Sequence, residues 1–349
     1  MRRLTLLGGL ALVWPGAIPA RPVGAVTGAG VVQPCAAYAA RQNAILRYAV
    51  STVARGAPPR PTHPAGVIAR TQYLTGRPYG AAIAANGTIY VALIGSNSLL
   101  RGSLASMEFG SAVEVGPTPP HVVINRAGTL AYATLQTGRG VAVVDVSSNA
   151  LLSRAPLTSD GFNLAVSSAG DRVYATTAAG ALYVLSVSGS VLDTLSVGPA
   201  ANGLAFAPDE CTLYVTSRDA GTVKAISTVS HAVTRTYRIG GMPQRIAVAP
   251  DGSELYVANE ASGLDVVNVE TGEKTTVAFG TAAYGLGLTP DGEQLYVLLP
   301  ATGEVRILSR RTRAPLRTLV VGGTPRNVAF EPRGTAALVT TEEAVVFIH

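Results

Sequence analysis

From about residue 77 to the C-terminus the sequence repeats itself, and that repeat leaves little choice of fold. Its clearest copy is GGMPQRIAVAPDGSELYVANEASGLDVVNVETGEKTTVAF, Gly240 to Phe279. Four short runs within it read as strands: Arg245 to Ala249, Glu254 to Ala258, Gly263 to Val269 and Lys274 to Phe279. The breaks between them carry turn chemistry. Pro250-Asp251-Gly252 supplies a fixed φ, a side-chain acceptor and a residue free to take positive φ, while Asn259 to Gly263 and Glu270 to Glu273 are polar and contain glycine. The unit therefore predicts a four-stranded antiparallel meander. Its first strand is rich in Ala and Val, small enough for the crowded innermost strand of a radial array.

The period can be counted on the second strand. Tyr90, Tyr132, Tyr174, Tyr214, Tyr256, Tyr296 and Leu338 lie 42, 42, 40, 42, 40 and 42 residues apart. Four strands every 40 to 42 residues is the signature of a β-propeller, and seven copies predict seven blades. Arg70 to Pro78 matches the ends of later units, Arg235 to Pro243 and Arg317 to Pro325, with the same spacing of 8. Residues 67 to 74 are thus an outermost strand with no inner strands before it. The seventh unit, in turn, stops at its third strand, Ala344 to His349. Pairing the two closes the ring and removes the edges that an open array would expose. Blade one departs most from the pattern: Leu99 to Val115 contains Met107-Glu108-Phe109 and no clear Gly-Thr-Val third strand, which predicts a distorted outer half or a binding loop, plain irregularity being the preferred reading.

The PDG-type turn, the Leu-Tyr-Val strand that follows it (Leu213-Tyr214-Val215-Thr216, Leu255-Tyr256-Val257-Ala258, Leu295-Tyr296-Val297) and the Gly-x-x-Pro lead-in together resemble the YVTN-type, or YncE-like, β-propeller family. The resemblance spans roughly residues 67 to 349. It implies a seven-bladed fold but no single activity, since similar propellers serve as surface-layer modules, ligand or nucleic-acid binders, haem-d domains and lactonases. Function has to be sought in the site.

Residues 1 to 66 read differently. Met1-Arg2-Arg3 followed by the apolar run Leu4 to Val13 has the form of a secretory signal peptide, too short to span a bilayer, with cleavage expected after Ala20 in preference to Ala29. Pro34 precedes Cys35, so the small-residue box of a bacterial lipoprotein is missing. Removing residues 1–20 takes Arg2 and Arg3 with it and lowers the net charge from +6 to +4. The segment 21–66 predicts one Ala-rich helix over 35–54 and a Pro-rich linker over 57–64. A charged fraction of 14%, against about a quarter in ordinary domains, suits a sheet-rich exported protein. The expected location is the periplasm or outside the cell, and the expected state a monomer. There disulfides persist; Cys35 and Cys211 either form one, clipping the helix to the turn-bearing face of the ring, or remain two thiols.

In a propeller, one mouth of the central channel is lined by residues just before each innermost strand and by loops joining second to third strands. The first set here is Tyr79, His121, Asn163, Asn202, Gln244, Arg245, Tyr284, Arg326 and Asn327; the second includes Asn97, Gln136, Arg139, Arg218, Asp219, Asn259, Glu260, Glu342 and Glu343. The first set is polar and aromatic and holds two arginines with no carboxylate, a composition fitted to an anionic or planar ligand. The same residues could instead cap strand ends.

Searches for catalytic patterns return little. His63, His121, His231 and His349 show no metal-ligand spacing, and there is neither a Gly-x-Ser-x-Gly elbow nor a Cys-x-x-Cys-His haem motif. No cofactor is expected. A lactonase-like hydrolase would have to use His121 and Glu260, three blades apart, and a cofactor-carrying redox propeller would have only His121 at the mouth. A sequence pI near 9.5 raises nucleic acid, but +4 over the mature chain is no electrostatic footprint. The expectation is a binding or interaction module working through the channel mouth, with an unidentified small molecule or protein as partner.

Overall fold

The computed structural model describes residues 62–349, which form 28 strands in seven four-stranded antiparallel sheets. Among these residues there is no helix. The expected signal peptide, the helix over 35–54, Cys35 and all but the last three residues of the Pro-rich linker lie outside the described residues.

Six sheets are built from consecutive strands. The seventh has the order Ile68–Tyr73, Ala344–Ile348, Ala337–Thr340, Asn327–Phe330, so the first strand of the ring is the outermost strand of the last blade. The closing register pairs Tyr73 with Ala344, Thr71 with Val346 and Ile68 with Ile348. Val67 and His349 exchange backbone hydrogen bonds of 2.8 and 2.9 Å at one end of this seam, and Leu74 N–H donates to the Glu343 carbonyl at 2.9 Å at the other. The strand made by residues 67–74 does what its orphan position in the repeat requires.

The repeating tyrosine is the core residue of each interface. Tyr90, Tyr132, Tyr174, Tyr214, Tyr256, Tyr296 and Leu338 are each no more than 5% exposed. The apolar core is a ring of seven clusters, each shared by two neighbouring blades; one joins Tyr214, Tyr237 and Ile239 of blade four to Ile246, Leu255 and Val257 of blade five. A blade cannot bury both faces alone, so stability accrues only when the ring is complete.

A second tie comes from the threonine two residues after the repeating tyrosine, or after Leu338 in the last blade. Thr134 Oγ1 donates to the Phe162 carbonyl (2.9 Å), Thr176 to Asn202 (2.7 Å), Thr216 to Gln244 (2.8 Å) and Thr340 to Tyr79. Each crosses to the innermost strand of the next blade, at or beside a residue of the channel mouth. Thr216 is wholly buried. Thr216→Val leaves the Gln244 carbonyl unsatisfied in a dry interface and is expected to cost about 1–3 kcal/mol. Thermal melts read this as a lowered Tm, with Thr216→Ser much closer to wild type; equal losses from both would assign the effect to packing.

Blade one has an irregular outer half and no binding loop: its four strands are Pro78–Ile83, Thr88–Leu93, Ser98–Ser103 and Glu108–Glu114, with a register shift between the last two. Outer-strand register shifts also occur in blades two, three, four and six; what sets blade one apart is that Phe109 packs over Gly102. A Cβ at Gly102 would lie 2.5 Å from the Phe109 ring. Phe109 in turn meets Phe347 of the closing blade, centroids 6.0 Å apart. The Gly-Phe pair replaces the periodic residues with a local fit.

Candidate functional site

The innermost strands are not regular where they reach the mouth. In blades one, three, four and five the pairing slips between Pro78 and Ala81, Gly161 and Leu164, Ala201 and Leu204, and Pro243 and Ile246. Bulges re-aim side chains, and these four carry Tyr79, Asn163, Asn202 and the pair Gln244 and Arg245. Glycine alternates with them where blades approach most closely. A Cβ at Gly203 would sit 2.3 Å from the Gln244 carbonyl oxygen, so that position must be bare for Asn202 and Gln244 to stand side by side.

On one side of the channel, blades three, four and five form a directed chain of hydrogen bonds. Arg245 Nη1 donates to Asn163 Oδ1. Asn163 Nδ2 then donates to Asn202 Oδ1 (2.6 Å), Asn202 Nδ2 to Gln244 Oε1, and Gln244 Nε2 to Glu260 Oε1. Glu260 is also paired with Arg218 at 3.5 Å, and Arg218 with Asp219 at 3.1 Å. Every amide accepts from the cation side and donates toward the carboxylate, which fixes which way each one points. Arg245 thereby reaches from blade five to blade three.

On the other side, blades six, seven and one meet. The Tyr79 and Tyr284 hydroxyls share a hydrogen bond of 2.5 Å. The Arg326 guanidinium lies 5.4 Å from the Tyr79 ring centroid and 4.9 Å from that of Tyr284, within cation–π range of both. Arg326 also grips Glu342 Oε1 at 2.5 Å, while Arg77 holds Glu342 Oε2 at 2.6 Å. Burial would raise the Glu342 carboxyl, but the hydrogen bonds and charges of Arg77 and Arg326 hold it below the usual carboxylate range. Burial, then the neighbouring Tyr284, pushes the Tyr79 phenol up. Arg326 is therefore a clamp already satisfied by protein groups.

Arg245 is not. Its side chain is partly buried, desolvation lowers its pKa, and among the described residues no carboxylate pairs with it; its partner is the neutral amide of Asn163. His121, on blade two, is close enough to feel that charge. Burial first, and Arg245 second, hold its pKa well below the usual histidine value, and its buried Nδ1 meets no hydrogen-bond partner.

Eight of the nine residues expected from the first set thus meet around the channel: Tyr79, His121, Asn163, Asn202, Gln244, Arg245, Tyr284 and Arg326. Asn327 is a strut, its Oδ1 accepting from the Ala81 backbone N–H of the next blade at 3.2 Å. The second set divides. Glu260, Glu342 and Arg218 join the mouth, whereas Asn259 is 1% exposed and bonded to Asp265 (2.8 Å) and the Gly240 carbonyl (3.0 Å). Asn97 Oδ1 accepts from Thr118 N–H at 3.0 Å, and Arg139 pairs with Asp160 at 3.4 Å. His121 and Glu260 share no hydrogen bond; each has its own neighbours. Arg77 and the pairing of Arg326 with Glu342 were not anticipated. The repeat held the signal, because Gln244 with Glu260 and Arg326 with Glu342 are both 16 residues apart and occupy equivalent places in their blades. Among the described residues no group of three or more His, Cys, Asp or Glu is placed to hold a metal ion.

The chain is similar to a solved chain of Kuenenia stuttgartiensis hydrazine synthase, with a TM-score of 0.71 over 84% of this chain and 98% of that one, at 15% identity. The likeness is one of fold. No protein-family model and no curated protein matches the sequence.

Proposed function

We propose that this chain is an exported, monomeric β-propeller of the YVTN type that binds a small anionic molecule in the mouth of its central channel. Export to the periplasm or beyond rests on the N-terminal leader pattern and the low charge. The ligand class rests on Arg245. A partly desolvated guanidinium with one neutral partner is a standing cost to the fold, and an anion in the channel offsets it. The surroundings support this: the other mouth arginines, Arg77, Arg218 and Arg326, already have carboxylates, so Arg245 alone of the four is left to meet one from outside. The amide chain ending on Glu260 keeps Asn163 Oδ1 turned toward Arg245 and positions the guanidinium across the channel.

Native mass spectrometry of protein purified from its own host tests the proposal. A non-covalent mass, lost on denaturation and running as an anion when released, is the expected result. A bare protein whose spectrum is unchanged by added carboxylates or oxyanions would contradict it.

A further inference from the structure

The donors around Arg245 outnumber the acceptors, and the excess describes the ligand more closely. Arg245 has spent one of its five N–H groups, on Asn163. The Tyr79 and Tyr284 hydroxyls share one hydrogen between them, so the second hydroxyl hydrogen has no partner in the pair. His121 brings a buried ring nitrogen bonded to nothing. These groups come from blades one, two, five and six and meet in one channel. A single negative charge would balance Arg245 and leave the imidazole as it is. A second negative charge beside it would draw a proton onto the ring.

We infer that the channel takes a small dianionic oxyanion, held jointly by Arg245 and His121, and that His121 takes up a proton as the ligand binds. This rests on the reading of Arg245 as an anion site. The charged and titratable groups that bear on His121 are few. Arg245 faces it from blade five and adds to burial in holding its pKa down. The strands packed against its own, His121–Ile124, carry Tyr79, Tyr90 and Tyr132. The Tyr90 hydroxyl is committed to Asn149 (2.7 Å) and that of Tyr132 to the Val187 carbonyl (3.1 Å), while the adjoining strand Gly161–Val166 holds no titratable side chain. An arriving dianion therefore acts on His121 with no carboxylate in competition.

Proton uptake fixes the sign of the pH dependence. The free protein holds His121 below its ordinary pKa and the bound protein raises it. Affinity then falls by up to tenfold per pH unit as pH rises between those two values and is flat outside them. Isothermal titration in two buffers of different ionisation enthalpy reads the uptake directly. The probes are sulfate and methanesulfonate, close in shape but one charge apart, and malonate and acetate, which separate a dicarboxylate from a tetrahedral oxyanion. The expected result is at least tenfold tighter binding of sulfate or malonate than of its monoanionic counterpart near pH 6, with up to one proton taken up. His121→Asn should abolish uptake and pH dependence while keeping residual affinity through Arg245; His121→Gln serves if the first variant does not melt cooperatively. Equal affinity for dianion and monoanion with no proton uptake would overturn the inference and leave Arg245 as an anion site. Binding of none of the four probes by cooperatively melting wild-type protein would overturn both.

Discussion

A variant lacking residues 67–74 is expected to lose cooperative unfolding altogether. These residues supply the outermost strand of the last blade, and without them Ala344–Ile348, whose residues are all no more than 2% exposed, becomes the bare edge of a three-stranded blade. The loss has two parts. The seam's hydrogen bonds, including the reciprocal pair between Val67 and His349, contribute about 0.5–1.5 kcal/mol each. The deletion also takes Ile68 from the cluster that holds Val346 and Ile348 and Leu74 from the one that holds Phe347, thinning burial worth roughly 1.5–3 kcal/mol for each side chain lost. Together these rival the whole stability of a domain, about 5–15 kcal/mol. The damage also spreads, because Phe347 belongs to the cluster shared with blade one and Ile348 to that shared with blade six. Circular dichroism melts should show a broad, non-cooperative loss of signal, with dye binding to exposed apolar surface. A sharp transition within a few degrees of wild type would mean that the ring holds without its strap.

The second large effect runs in the opposite direction. Arg245→Met should make the ligand-free protein more stable. Replacing an incompletely compensated, desolvated charge with an apolar side chain of similar length is often neutral or stabilising by about 1–4 kcal/mol. Against it stands the amide oxygen of Asn163, which loses its donor. A rise in Tm of a few degrees is the expected balance, at about 2–4 °C per kcal/mol for a domain of this size. Arg326→Met should do the reverse. That guanidinium holds Glu342 and lies over both tyrosines, and removing it leaves the carboxylate to Arg77 alone. Two arginines at one mouth therefore carry opposite signs: Arg326 stabilises the blade junction, while Arg245 is kept at some cost to stability. Such a trade is the mark of a group retained for binding.

Most of the architecture was legible before any coordinates, for a simple reason. A radial array forces each blade to solve the same packing problem, so the buried tyrosine and the turn return in phase and can be counted. The closing strand was legible because Arg70 to Pro78 repeats a blade ending that has no blade before it. Blade one showed itself only as a break in the pattern, because its solution is not periodic: Phe109 fills the space above Gly102, a pairing that no repeat announces. The candidate mouth residues could be named from position alone, because the repeat marks equivalent strand starts in all seven blades. The partners were not. That Arg245 crosses to Asn163 two blades away depends on the bulges in both innermost strands, and those come from backbone register. The contrast between Arg245 and Arg326 was hidden for the same reason: as residue types they are identical, and only the place of Glu342 separates them.

The measurement that tests this account most directly is a pair of thermal melts, wild type and Arg245→Met, each with and without sulfate and malonate at constant ionic strength. The predicted result is a variant that melts higher than wild type without ligand and gains nothing from either anion, while wild type gains about 2.7 kcal/mol at a hundredfold excess over Kd. A variant that melts lower and is stabilised by the anions as much as wild type would show that Arg245 is a structural residue and that the channel is not the anion site.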